Sequence, residues 1–129
     1  MSLKAVSTNG APTAIGPYSQ GIDAGNLVFV AGQVGRNPQT GELPDGVEAQ
    51  AERVMKNIAA ILDAAGLTFA DVAKTTVLLV DINDFEAVNA VYARHVSDPK
   101  PARATYAVAA LPRGALVEIE AFAVRTQSP

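Results

Sequence analysis

Three charged residues near the C-terminal end could do chemistry together. Arg103, preceded by Pro101 and Ala102, opens the strand-like run "PARATYAVA", and Glu118 and Glu120 lie inside a second such run, "LVEIEAFAV". A charge within a strand is costly unless it has a partner or a task. An arginine at the start of a strand can present its planar fork to a carboxylate. Glu118 and Glu120 fall on one face of one strand. If that face loses water, a carboxyl pKa rises towards use as an acid or base. The structural alternative is that Arg103 pairs with Glu118 or Glu120 or lies exposed at a strand end, and that a glutamate pairs with a basic side chain across an interface. Glycoside hydrolysis by the two glutamates is excluded, because neighbours two apart on a strand cannot flank a sugar ring.

Other polar or aromatic residues stand out more weakly. Tyr18, in "IGPYSQ" between Gly16-Pro17 and Ser19, is either a rigid aromatic wall for a pocket or a loop anchor packed on the core. Asn89 lies mid-helix among apolar neighbours, where asparagine is a mediocre helix former; it either hydrogen-bonds a loop or lines a site. His95 is near a helix end, where a C-terminal role is ordinary. The stretch "AGQVGRN" lacks the spacing and the Lys-Ser/Thr of a phosphate loop, and there is no Gly-x-Ser-x-Gly elbow. With no cysteine and one histidine, disulfides, thiolate sites, cysteine nucleophiles and imidazole-rich metal centres are excluded. No clustered carboxylate loop suggests a harder ion, so no metal is expected.

These residues have to be positioned by 129 residues that are 49% hydrophobic and 18% charged. Such a chain reads as one domain, residues 1–129, with a substantial core. The formal charge of −3, with basic residues scattered, lacks the footprint of a nucleic-acid binder. No basic flank joins an apolar run as in a signal peptide, and no run is long enough to cross a bilayer. A soluble cytoplasmic protein without a membrane partner is the expectation.

"NGAPTAIGPYSQG" reads as a loop and "GIDAGNLVFVAGQV" as two strands turning at Ala24-Gly25-Asn26. Val47, Val54, Ile58, Ile61 and Leu62 recur at helical spacing over 47–65, with Asp45 as expected N-cap and Gly66 as C′ stop. "VAKTTVLLV" is a β-branched strand. Asn83 or Asp84 is expected to cap a second helix carrying Phe85, Val88, Val91, Tyr92 and His95, ended by Pro99 and Pro101. The order β-β-β-α-β-α-β-β gives an α+β fold with a mixed sheet. Two helices cover one face only, yet several strands are apolar on both. In the last strand Val117, Ile119, Ala121 and Ala123 form one apolar set, while Leu116, Phe122 and Val124 share the other with the two glutamates. Strands of that kind are covered on both sides, which predicts an obligate oligomer.

Taken together, "AIGPYSQG", "GNLVFVAGQV", "QAERVMKNIAAILDAAGLTFADVAKTTVLLVDINDFEAVNAVY" and "PARATYAVAALPRGALVEIEA" resemble the RidA family, also called YjgF-type proteins, from about Ala14 to Val124. The most specific part is Pro-Ala-Arg, then Leu111 and Val117-Glu118-Ile119. The resemblance implies a chorismate-mutase-like mixed sheet with two helices on one face, assembled as a homotrimer with active sites between subunits. The implied activity is hydrolysis of 2-imino acids such as 2-iminobutanoate and 2-iminopropanoate, released by pyridoxal-phosphate dehydratases, to 2-oxo acids and ammonia, with no cofactor or metal. By the same resemblance Arg103 grips the substrate carboxylate and Glu118 activates water. Thr105 offers a backbone N–H where many members have cysteine, Tyr18 reaches a neighbour's site, and Asn89 lies near the cleft. Ala31 borders the site where serine is common, and the segment "ARHVSDPKPAR" is shorter than usual. Arg103 and Glu118 are expected to reach one cleft from adjacent strands. The family's other labels, endoribonuclease and translation inhibitor, and a non-catalytic trimer that binds small carboxylates are the competing readings.

Overall fold

The computed structural model describes residues 2–126. Its strands are β1 (Lys4–Val6), β2 (Gly21–Asp23), β3 (Leu27–Val34), β4 (Val72–Leu79), β5 (Ala102–Ala107) and β6 (Val117–Val124); its helices are α1 (Val47–Ala64) and α2 (Phe85–Ala93). They form one six-stranded sheet in the order β1-β2-β3-β6-β4-β5. Only β4 and β5 are parallel, because α2 carries the chain back between them; the other neighbours are antiparallel. The expected α+β architecture with both helices on one face is what is seen.

Packing follows the alternation along each strand. Val117, Ile119, Ala121 and Ala123 of β6 are buried against Val54, Ile58, Ile61 and Leu62 of α1 and Val88 and Val91 of α2. The opposite face carries Phe29 and Phe122, edge to face at 5.5 Å, with Leu27 paired to Val124 beside them. No helix of the described residues packs there, and both phenylalanines are 38% exposed. None of the helices among the described residues is long and apolar enough to cross a membrane.

The helix ends depart from expectation in detail. Gly66 does follow α1 at φ +79°, but its N-cap is Gly46, at φ 89°, and not Asp45. Asp45 is one residue too early. A 3-10 turn at Ile82–Asp84 precedes α2. Asp84 occupies the N-cap, as expected, but without a side-chain bond, and Asp81 caps the turn by accepting from Asn83 N at 2.9 Å. The second helix stops at Ala93, before either proline.

Two buried amides hold the loops around the sheet. Gln20 accepts from Thr8 N at 2.7 Å and donates to the carbonyls of Thr8, Ala11 and Pro12, which organises the irregular loop preceding β2. Asn57 donates to the carbonyls of Val34 and Arg36 and so sets the path leaving β3. Gln20→Leu strands several buried groups, each worth about 1–3 kcal/mol when left unpaired. It is expected to lower stability by at least about 2 kcal/mol in urea titration, more than a same-sized change at exposed Gln39.

Candidate active site

The carboxylates and Arg103 do not meet within one chain. β4 separates β5 from β6, so the expectation of adjacent strands is corrected. The pleat also turns them apart: Arg103 is in register with Thr75, and Thr75 with Ala121, on the helix-covered face. Glu118 is in register with Leu78, and Leu78 with Tyr106, on the open face. Among the described residues Arg103 makes no ion pair.

On the open face, Glu118 lines a cavity of about 480 Å³ together with Tyr18, Ala31, Gly32, Arg36 and Arg113. A bulge in β3 makes this possible. Val30 pairs with Ala121 and Gln33 with Ile119, so Ala31 and Gly32 together oppose the single residue between those partners, Glu120. The carboxylate of Glu118 lies across Gly32 so closely that a Cβ there would overlap it. Burial pushes the Glu118 carboxyl above its ordinary value of 4.5, and the charge of Glu120 adds to the rise. Tyr18, half-exposed, belongs to this cavity and not to the core. Its hydroxyl accepts from Ile15 N at 3.3 Å, which ties the ring to its own loop.

Across the sheet lies a second, shallower hollow lined by Asn89, Tyr92, Lys100 and Arg103. The Arg103 guanidinium sits 5.0 Å from the Tyr92 ring centre and 5.5 Å from that of Phe85. Tyr92 is fixed in turn by a 2.7 Å hydrogen bond between its hydroxyl and Thr75. The two rings hold the cation without neutralising it. Asn89 lines the hollow and makes no side-chain hydrogen bond among the described residues, so the loop-binding alternative is not realised. Thr105 Oγ1 is buried without a partner among the described residues. Val108 N donates to Leu79 O at 2.8 Å; by alternation the N–H groups of Arg103 and Thr105 point to the free edge of β5. His95 lies apart: its Nε2 meets Glu52 Oε1 at 3.0 Å and braces α1 against the end of α2.

Sequence reading thus found Glu118, Tyr18 and Ala31 on one side and Arg103, Thr105 and Asn89 on the other. It missed Gly32, Arg36 and Arg113. The signal available for Gly32 was a glycine inside a strand pattern, which suggests a bulge or close approach.

The comparisons with known proteins bear on this arrangement. Residues 8–125 match the family described as Endoribonuclease L-PSP. The chain is 52% identical over 123 residues to the 2-iminobutanoate/2-iminopropanoate deaminase of Mus musculus, covering 95% of this chain and 91% of that protein. The chain belongs to the RidA/YjgF family. The deaminase of the same name from Escherichia coli K12 is 48% identical over 125 residues, 95% of this chain and 98% of that one. The crystal structure of the YjgF gene product from E. coli superposes with a TM-score of 0.90 at 48% identity, covering 95% of this chain and 99% of that one. As a RidA-family fold, the sheet and its two helices need no further explanation.

The raised Glu118 carboxyl has a sign that can be measured. The folded chain holds this proton more tightly than the unfolded chain, so the group's contribution to stability is present at low pH and is lost as pH rises through the folded pKa. Glu118→Gln is expected to melt higher than the parent at neutral pH, the gap closing in acid. By carbon NMR titration the Glu118 carboxyl should titrate above 4.5. Gly32→Ala, by forcing the carboxylate outward into water, should bring it back down. A Glu118 that titrates normally in the parent and is unmoved by Gly32→Ala would show that the bulge does not create its environment.

Proposed function

We propose that this protein is a 2-iminobutanoate/2-iminopropanoate deaminase whose site is completed between subunits of a homotrimer. The observation that carries the reading is the division of its parts. A half-buried carboxylate that makes no ion pair among the described residues lies on the open face, and an arginine that makes none lies on the other, in a chain about half identical to proteins of that name. A second subunit set against the open face would cover the apolar strip around Phe29 and Phe122 and bring its own Arg103 to the Glu118 cavity. The protein acts in the cytoplasm on small imino acids and takes no nucleic acid, consistent with its net charge of −3.

In this reading Arg103 of one subunit binds the substrate carboxylate through its fork, and Thr105 N–H at the free edge of β5 adds a donor. Asn89 lies beside the arginine, and Tyr18 and Ala31 of the other subunit wall the cavity. A protonated imine is already electrophilic at C2, so orientation and one base are enough. Glu118 takes a proton from water as the water oxygen bonds to C2. The same carboxyl, with its raised pKa, returns that proton to nitrogen. The C–N bond then breaks, ammonia leaves, and the hydroxyl proton is lost to give the 2-oxo acid.

Glu118→Gln is expected to keep the fold and abolish most hydrolysis in a coupled threonine-dehydratase assay, while Glu120→Gln does much less. Arg103→Lys keeps the charge without the fork and should lower kcat/KM; Arg103→Ala should lower it further, by about 30- to several-thousand-fold. Light scattering is expected to give a trimer, and a monomer at micromolar concentration would defeat the shared site.

The division also permits a stricter measurement. Arg103→Ala and Glu118→Gln subunits, each strongly impaired alone, are unfolded together and reassembled at equal amounts. Sites that draw Arg103 from one variant and Glu118 from the other are then intact, and about a quarter of parental activity should return. No recovery in confirmed mixed oligomers would mean that both residues act from one chain or not at all.

A further inference from the structure

Arg36 and Arg113 border the Glu118 cavity, and the hydrolysis described above uses neither. Both line its wall, and neither makes an ion pair among the described residues, whereas Arg94, Arg125, Lys56 and Lys100 all do. They do not neutralise Glu118 either, whose carboxyl is pushed up and not down. Arg36 is braced: its Nε donates to Gly41 O at 3.2 Å, and its carbonyl accepts from Asn57 at 3.0 Å. Arg113 stands at φ 58°, ψ 22°, inside the turn Pro112–Gly114. A side chain other than glycine is strained in that region, and such strain gathers at binding and catalytic positions. Gly114, the next residue, is also left-handed at φ 71°, so the turn holds Arg113 at the cavity wall at a conformational cost.

In the single chain the Glu118 cavity measures about 480 Å³, before any neighbour's Arg103 enters it. We propose that Arg36 and Arg113 form a second anion subsite, which favours imino acids whose side chain ends in a carboxylate over those with an apolar side chain. This rests on the deaminase reading. With Arg103 supplied by a neighbour for the 2-carboxylate, the two arginines of the Glu118 subunit take the distal one. The reaction at C2 is unchanged; only the side chain is selected.

The test compares 2-imino acids generated by flavin oxidases from glutamate and from 2-aminobutanoate, with their decay followed by semicarbazide trapping. Arg113→Gly suits the backbone of the turn, so its melting temperature should not fall. It is expected to lose about tenfold more kcat/KM on the glutamate-derived imine than on the other, one salt-bridge-sized interaction. Arg113→Lys should recover most of that difference, and Arg36→Gln should reproduce it. Equal losses on the two substrates, with the apolar imine still hydrolysed by the parent, would overturn the subsite and leave the deaminase standing. If the parent hydrolyses neither imine, the deaminase reading fails. Calorimetry with 2-oxoglutarate and 2-oxobutanoate then judges the subsite alone: a selective weakening of 2-oxoglutarate in Arg113→Gly supports it, and unchanged binding ends it.

Discussion

The pleat of the sheet sets Arg103 and Glu118 on opposite faces, and β4 stands between their strands. Side chains of a strand alternate strictly, so no rotamer change could bring the two together across a hydrogen-bonded neighbour. Everything else about the site follows from that constraint. The cation is held by aromatic rings where a carboxylate would otherwise have neutralised it. The carboxylate is held in a place where burial raises its affinity for a proton. Neither half makes an ion pair among the described residues.

The local devices serve the same end. An α-helix could not pass a carboxylate over its backbone, but a strand with two residues opposing one can, provided that one of the two has no side chain. Gly32 meets that condition. Gln20 and Asn57 make the surrounding loops rigid by hydrogen-bonding carbonyls that the sheet does not use. The cavity wall is therefore built on anchored backbone, which is the usual requirement for holding a reactive geometry. Thr75 does the equivalent for the other half through the hydroxyl of Tyr92.

The open face has two characters. Near Phe29 and Phe122 it is apolar, and near Glu118 and Glu120 it is charged. Area of the first kind drives association, while charge of the second kind resists burial unless a partner or a ligand meets it. An apolar strip and a charged cleft thus share one face of the sheet. That division shows how strands apolar on both sides coexist with two glutamates in β6.

The element order, the helical spacing of α1 and α2, the hairpin at Ala24-Gly25-Asn26 and the inward set Val117, Ile119, Ala121 and Ala123 were all legible in the chain, because periodicity is a local property. The surplus of apolar residues on the second face was legible for the same reason. The motif residues Arg103 and Glu118 could be named from sequence, as could Tyr18, Ala31, Thr105 and Asn89 by resemblance. Which of them meet could not. Strand order places β4 between β5 and β6, and that depends on long-range pairing that no local pattern encodes. The bulge at Ala31-Gly32 depends on a register shift against a strand some ninety residues away, as long-range pairing commonly does. Asp84 holds the N-cap of α2 as the sequence suggested, though without a side-chain bond, whereas Asp45 falls one residue short because Gly46 takes the N-cap of α1. Residue types and their spacing thus determined what chemistry was present; only tertiary pairing decided that one chain holds it in two separate halves.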